Sequence, residues 1–309
     1  MREDILVREI INLKKEKDAI ILSHYYQDPL IQDIADFVGD SLSLSKKAAN
    51  TDARVILFAG VHFMAETAKI INPSKKVIIP DMEAGCSLSD SCPPDEFEAF
   101  VKSHPNHIVV SYVNCSAEIK ALSDIICTSS NALKVIESIP KKRKIIFAPD
   151  KNLGRYIARL SNRELVLWDG FCIVHQEFSE EELQKLKYRY PNSKVIAHPE
   201  CDSYLLDTAD FIGSTKALLN YTVRDNSNTY IVATESSLLH QMRKLSPDKN
   251  FVMAPVIKSC SACQQCPYMK KNTLLKLYKC LKYESPEVIL ERKLLERAYK
   301  SVHRMLNIC

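Results

Sequence analysis

Eleven cysteines occur in this chain of 309 residues, and three of them lie in the run Cys260-Ser261-Ala262-Cys263-Gln264-Gln265-Cys266-Pro267. A CxxCxxC run closed by proline matches part of an iron–sulfur binding run, without that run's fourth cysteine. Zinc also accepts thiolates, but in a structural role it takes four ligands. Two further cysteines, Cys86 and Cys172, each follow an apolar run. Gly85 precedes the first directly and Gly170 the second at one remove, as expected where backbone approaches a cofactor closely. One cysteine from each of these three places would hold a 4Fe-4S cube and leave one iron without a protein ligand. Such an iron acts as a Lewis acid on a bound hydroxyl, carbonyl or carboxylate.

Groups suited to proton transfer fall in three short clusters: His24-Tyr25-Tyr26, Tyr112-Val113-Asn114 and His198-Pro199-Glu200. They are spaced evenly, 88 residues from His24 to Tyr112 and 86 from Tyr112 to His198. Each is followed 17 positions later by a hydroxyl residue: Ser41, Ser129 and Thr215. The segments leading to those hydroxyls align as Ala35-Asp36-Phe37-Val38-Gly39-Asp40, Ser123-Asp124-Ile125-Ile126-Cys127-Thr128 and Ala209-Asp210-Phe211-Ile212-Gly213-Ser214. From the hydroxyls, Cys86 lies 45 and Cys172 43 residues on. Cys260 is 45 after Thr215 and Cys266 is 51. Spacing alone favours Cys260, whereas an inserted turn would favour Cys266.

The elements that must position these residues repeat as well. The clusters follow Ala19–Leu22, Ile108–Ser111 and Lys194–Ala197, and the third runs are Val55–Phe58, Lys144–Phe147 and Thr229–Val232. Fourth runs follow at Val77–Ile79, Leu165–Leu167 and Phe251–Met253. Short β-branched runs alternating with helical stretches predict parallel sheets covered by helices. The fold class is therefore α/β: three pseudo-symmetric parallel-sheet αβα sandwiches around a central site. Their spans are 1–92, 93–178 and 179–285, with a C-terminal helix in 286–309, over Pro286–Leu306. Helices over Glu3–Lys15, Pro94–Lys102 and Glu180–Arg189 precede the three units, the last opened by a capping box at Ser179. Asn272–Leu281 would close the set into a ring. Ligands of open α/β sheets bind outside the carboxyl ends of the strands. The clusters follow first strands, the hydroxyls second strands and the cysteines fourth strands, so all nine positions converge on one cavity.

Composition narrows the function classes. The formal charge is +4, from 42 basic and 38 acidic residues, too balanced for a whole-protein nucleic-acid footprint. The basic stretch Lys141-Lys142-Arg143-Lys144 reads as a solvated loop and Lys270–Lys282 as an amphipathic helix. No apolar run approaches the ~18 residues of a membrane span, and the opening has no apolar leader core. The expected setting is the reducing cytoplasm, with no membrane and no nucleic-acid partner. Cysteines there serve as ligands, catalysts or core residues rather than as disulfides. Only 6 glycines are present, none in a phosphate-loop frame,.

Several motifs in order resemble the quinolinate synthase family. They are Ser23-His24-Tyr25-Tyr26-Gln27, Gly39-Asp40-Ser41-Leu42, Tyr112-Val113-Asn114 and Cys127-Thr128-Ser129-Ser130-Asn131. Gly170-Phe171-Cys172-Ile173-Val174-His175, His198-Pro199-Glu200-Cys201, Gly213-Ser214-Thr215 and the cysteine run with Pro267-Tyr268-Met269 continue the match over nearly the whole chain. Cys115 and Asp169 depart from the family pattern, where Thr and Pro are usual. The resemblance implies three α/β domains around one 4Fe-4S cluster held by three cysteines, Cys86, Cys172 and Cys266, with one open iron. Cys260 and Cys263 would then be spare. It implies a transferase that condenses iminoaspartate with dihydroxyacetone phosphate to quinolinate, phosphate and water, in NAD biosynthesis from aspartate. An L-aspartate oxidase or dehydrogenase would supply the iminoaspartate.

Both substrates of that reaction are anions. Ser41, Ser129 and Thr215, at expected helix starts, would anchor them on free N–H groups; the plain alternative is that they are N-caps. Glu200 is the expected general base beside His198, with Tyr26 and Tyr112 donating or returning protons. Substrate contacts fall to His24, Ser41, Tyr112, Val113, Asn114, Ser129, His198, Pro199, Glu200 and Thr215. His175 is placed beside Cys172, and Tyr25 is expected to pack away. His62, His104, His107, His240 and His303 follow no repeat and read as core or surface. Two readings from other classes compete: a non-catalytic iron–sulfur or zinc module, and a hydro-lyase of the same architecture.

Overall fold

A computed structural model describes residues 2–257 and 264–308. Among the described residues twelve strands form three four-stranded sheets, each wholly parallel. The first holds β1 (Ala19–His24), β2 (Phe37–Gly39), β3 (Val55–Ala59) and β4 (Lys76–Ile78), in the order β2-β1-β3-β4. The second holds β5 (Ile108–Tyr112), β6 (Ile125–Cys127), β7 (Ile145–Ala148) and β8 (Val166–Leu167), ordered β6-β5-β7-β8. The third holds β9 (Lys194–Ala197), β10 (Phe211–Ile212), β11 (Thr229–Ala233) and β12 (Asn250–Met253), ordered β10-β9-β11-β12. The chain thus builds one α/β topology three times. The central strands are continuous buried runs, such as Val55–Ala59 and Ile145–Ala148, because helices cover both faces of a parallel sheet.

The aligned aspartates have a structural task. Asp36, Asp124 and Asp210 each accept the backbone N–H of the residue 15 positions earlier, at Ile21, Val109 and Val195, all at 2.8 Å. Each also donates its own N–H to the carbonyl of that same residue. This double link fixes the second strand against the first, and so sets the 17-residue spacing of cluster and hydroxyl.

Helices Glu3–Glu16, Pro94–Ser103 and Glu180–Arg189 precede the three first strands. Ser179 accepts from the Glu182 N–H, but only half of the capping box forms. The Ser179 N–H goes to the Pro255 carbonyl, and Glu182 pairs with Lys185. Helix Leu274–Tyr283 lies beside Glu3–Glu16 on the first sheet, burying Leu277, Cys280 and Leu281 against Ile21, Val55 and Leu57. That is the ring closure the repeat calls for. The stretch Lys270–Lys282 is not one helix, however. A 3-10 turn, Met269–Lys271, ends at Asn272, and Thr273 caps the α-helix by accepting from Lys276 N–H. Lys141–Lys144 is an exposed loop.

The C-terminal helix is shorter than the sequence suggests. It spans Arg292–Asn307, and residues 286–291 run extended beside β4. Ile79 N–H donates to the Pro286 carbonyl and Val288 N–H to the Val77 carbonyl. The open edge of the first sheet offers these partners, and β-branched Val288 and Ile289 suit an edge strand. The helix itself buries Ala298, Val302 and Met305 across the first and second units. Its last carbonyls, Met305 and Ile308, accept from Asn131. Among the described residues no helix is long and apolar enough to cross a membrane.

Candidate active site

The carboxyl ends of the three sheets meet at a cavity of about 650 Å³. The first unit contributes His24, Tyr26, Ser41 and Cys86, the second Tyr112, Asn114, Ser129 and Cys172, and the third His198, Glu200, Thr215 and Cys266. These twelve residues come from the three kinds of strand end at which the repeat places chemistry. Val113 and Pro199 are buried between their neighbours and do not line the cavity. Val113 packs in the core and its N–H donates to the Cys127 carbonyl. Tyr25 turns away into a cluster with Ile196, Leu218 and Tyr230. His62, His104, His107, His240 and His303 lie elsewhere, His240 paired with Asp33 at 2.8 Å.

Glu200 is the centre of a hydrogen-bonded chain. Its Oε1 accepts from Tyr112 Oη at 2.6 Å, and its Oε2 lies 2.9 Å from His175 Nδ1. His175 Nε2 is 3.0 Å from Thr234 Oγ1, which is 2.8 Å from Tyr26 Oη; Tyr26 also reaches Thr215 Oγ1 at 3.1 Å. Tyr112, Glu200, His175, Thr234 and Tyr26 thus form one continuous path. Burial works against charge on Glu200, but the neighbouring His175 and the hydrogen bonds from His175 and Tyr112 outweigh it and hold the carboxyl below its usual range. Burial, then the charge of Glu200, pushes both tyrosine hydroxyls well above their ordinary value. At neutral pH Tyr112 is therefore a donor to a carboxylate.

His24 and His198 occupy equivalent places and share one geometry. Nδ1 of each accepts a backbone N–H two residues on, from Tyr26 at 3.2 Å and Glu200 at 3.4 Å. Burial lowers their pKa values to about 4 and about 3. Both rings are neutral at pH 7, and the occupied Nδ1 leaves the proton on Nε2. His198 Nε2 lies 3.2 Å from Ser129 Oγ.

The hydroxyls only partly follow the expected pattern. Ser41 and Thr215 are the first residues of helices Ser41–Ala49 and Thr215–Arg224, but the caps are their predecessors. Asp40 accepts from Ser43 N–H and Ser214 from Ala217 N–H, so Ser41 and Thr215 keep their hydroxyls for the cavity. Ser129 does not begin a helix. It sits in a turn held by the Thr128 N–H donating to Asn131 Oδ1, and the helix starts at Ala132. Asn114 Oδ1 is buried without a partner, although it lines the cavity. Buried acceptors are almost always satisfied, so this oxygen is set for a group inside the cavity.

The cysteines sort by burial. Cys86, Cys172 and Cys266 are half-buried and line the cavity, while Cys92, Cys115, Cys127, Cys201 and Cys280 are buried. Cys86 and Cys172 are the residues just before the short helices Ser87–Asp90 and Ile173–Gln176, and Cys266 lies just ahead of the turn Met269–Lys271. Burial raises all three thiols, Cys266 to about 11; Cys266 adds to the rise at Cys86, and Glu200, Cys86 and Cys266 add to that at Cys172. Three half-buried thiols lining one cavity, each just ahead of a helical turn, suit a cationic cluster that takes them as thiolates,. Cys260 and Cys263 lie outside the described residues. Gly170 is required by protein packing rather than by a cofactor, since a Cβ there would meet the Pro149 carbonyl at 2.5 Å. Gly85 lines the cavity, and a Cβ there would meet nothing closer than the Tyr268 ring at 3.5 Å.

The third-strand ends were not among the sequence candidates, and they carry buried acids. Ala59-Gly60-Val61, Ala148-Pro149-Asp150 and Ala233-Thr234-Glu235 stand in one register. Asp150 and Glu235 are wholly buried. Glu235 lines the cavity, accepts from Ser237 N–H at 2.7 Å and Cys266 N–H at 3.3 Å, and is pushed up to about 7 by burial. Burial, then the charge of Glu200, raises Asp150. The repeated alanine before each pair was the available signal.

The Quinolinate synthetase A protein family model matches residues 8–307. The chain is 58% identical over 303 residues to a quinolinate synthase of Chloroherpeton thalassium, covering 98% of this chain and 94% of that protein. It is 58% identical over 301 residues to that of Synechocystis sp., covering 97% and 94%. With that of Microcystis aeruginosa it shares 56% over 305 residues, covering 99% and 95%.

Proposed function

Because the chain belongs to the Quinolinate synthetase A protein family, we propose that it condenses iminoaspartate with dihydroxyacetone phosphate to quinolinate, phosphate and water, as a transferase of NAD biosynthesis from aspartate. Cys86, Cys172 and Cys266 would hold one 4Fe-4S cluster. When bound, the cluster supplies a Lewis-acid iron for a substrate hydroxyl or carboxylate. The remaining work falls to the chain itself, in the cytoplasm, on iminoaspartate supplied by an aspartate oxidase or dehydrogenase.

The two anions need anchors before they can react. The hydroxyls of Ser41, Ser129 and Thr215, with Nε2–H of His24 and His198, offer neutral donors to phosphate and carboxylate oxygens. Asn114 orients a carboxylate or its bound partner through its amide. Glu200, an ionised carboxylate, removes the proton that generates the enediol and those lost in the dehydrations. Tyr112, hydrogen-bonded to it, returns a proton. His175 and Thr234 extend the path to Tyr26, so a proton taken at Glu200 has a route to a second donor without bulk water. Positioned acid–base groups of this kind contribute about 10²–10⁴ in rate.

The observation that carries this reading is the continuous chain Tyr112–Glu200–His175–Thr234–Tyr26 in the same cavity as three converging thiols. Anaerobic purification with iron and sulfide analysis, followed by a quinolinate assay on the same sample, tests it. About four irons per chain, as one 4Fe-4S cluster requires, with air-sensitive turnover is the expected result. A cluster without quinolinate would point to a related lyase or a sensor. A second reading rests on Cys172, His175 and Glu200, whose ligand atoms lie within 4.8 Å of one another. It calls for one zinc or similar divalent ion, which the same metal analysis separates from a cluster.

A further inference from the structure

A second, shallow concavity lies next to the catalytic cavity, and Asp40 lines both. Lys46 and Lys47, from helix Ser41–Ala49, and Lys216, from helix Thr215–Arg224, line it with Ser43 and Ser130. Lys46 and Lys47 are half-buried. Among the described residues neither ammonium group has a carboxylate within ion-pair reach, and Lys216 Nζ meets only the Ser43 hydroxyl, at 3.3 Å. The one acid in the wall, Asp40, is already engaged: Oδ1 accepts from Ser43 N–H at 2.9 Å and Oδ2 from Ser130 Oγ at 2.7 Å. Three lysines therefore line the concavity with a single, already satisfied carboxylate. Such a basin concentrates field lines and draws in anions.

The boundary between basin and cavity is thin. Ser130 Oγ lies 2.7 Å from Asp40 Oδ2 and 2.8 Å from Ser214 Oγ, so one hydroxyl on a turn joins all three units there. The proposed anchors Ser41, Ser129 and Thr215 each adjoin a member of this bridge in sequence.

We propose that this basin is the port by which small dianions, phosphate monoesters and dicarboxylates, reach the catalytic cavity, drawn by Lys46, Lys47 and Lys216. The inference rests on the reading that both substrates are anionic. A port changes the rate of arrival and leaves the chemistry alone, which sets its signature.

The test compares the loaded wild-type enzyme with Lys46→Gln/Lys47→Gln/Lys216→Gln. At low ionic strength kcat/KM for dihydroxyacetone phosphate should fall about tenfold in the variant, the lower end of electrostatic steering. Its dependence on salt should flatten while kcat stays within twofold. In a second arm the full chain is titrated into inorganic phosphate and the ³¹P line width is followed. Wild type should broaden the line and the variant should lose most of that broadening. Unchanged kcat/KM with an unchanged salt slope overturns the port. Equal phosphate broadening by both proteins overturns the anion basin. A wild type that makes no quinolinate, with broadening still lost in the variant, sinks the proposed reaction and upholds the basin.

Discussion

Tyr112 Oη donates to Glu200 Oε1 at 2.6 Å, although the two residues are 88 apart in sequence and belong to different sheets. They occupy the first-strand ends of the second and third units, and the pseudo-symmetric arrangement brings them face to face. Removing the donor tests the pair. Tyr112→Phe should cut turnover by about 10²–10⁴ if the hydroxyl transfers protons. It should also cost about 1.5–3 kcal/mol of stability, the range for a hydrogen bond to a charged group. Urea unfolding and quinolinate formation on the same preparation measure both, and near-full turnover would remove Tyr112 from the proton path.

Glu200→Gln preserves shape and removes the base. The variant should fold and retain iron at the wild-type level, while turnover falls by about 10²–10⁴. Near-full quinolinate formation would show that the base lies elsewhere, with Glu235 the next group to examine.

The cysteines divide by position. Cys86→Ala, Cys172→Ala and Cys266→Ala should each lose bound iron and activity together. Cys92→Ala, in the core between the first two units, should keep its iron and lose only modest stability. Iron and sulfide content of anaerobic preparations decides. Retention of the full complement in Cys266→Ala would return the third ligand role to Cys260.

His24 gives a pH dependence of definite sign. Its folded pKa, about 4, lies below the ordinary imidazole value of 6.5 because burial disfavours the imidazolium. Between those values the unfolded chain binds a proton that the folded chain does not, so acid favours unfolding. His24→Gln removes that titration. The stability of wild type relative to the variant should therefore decline as pH falls from 6.5 to 4, by about 3 kcal/mol in all at ~1.4 kcal/mol per pKa unit. Parallel urea titrations across that range measure the difference, and a constant offset would mean that His24 is not held neutral.

Asp124 is structural, and its loss should show it. Asp124→Ala frees the Val109 N–H that it accepts at 2.8 Å and should cost about 1–3 kcal/mol. Once folded, the protein should keep its KM values. A large change in KM with unchanged stability would place Asp124 in the site instead.

The repeat was legible in the sequence because each unit must solve the same problem: a buried parallel strand, a link to its neighbour, and a polar residue at the carboxyl end. Apolar runs and the Asp36, Asp124 and Asp210 register mark that solution directly, and the cavity residues at first- and second-strand ends, with Cys86 and Cys172, followed from it; Cys266 came from the family resemblance, against a spacing that favoured Cys260. Tertiary structure decided what no spacing encodes. Whether Ser129 begins a helix depends on Asn131 being drawn to the Thr128 N–H and to the last carbonyls of a helix more than 160 residues away. Residues 286–291 run extended because the first sheet leaves an edge open beside them, a partner that local propensity cannot see. The link from Glu200 through His175 and Thr234 to Tyr26 joins residues from all three units, as does the bridge of Asp40, Ser130 and Ser214. Periodicity fixes which residues reach a strand end. Which of them touch depends on how the three sheets pack, and that is set by side-chain contacts between units.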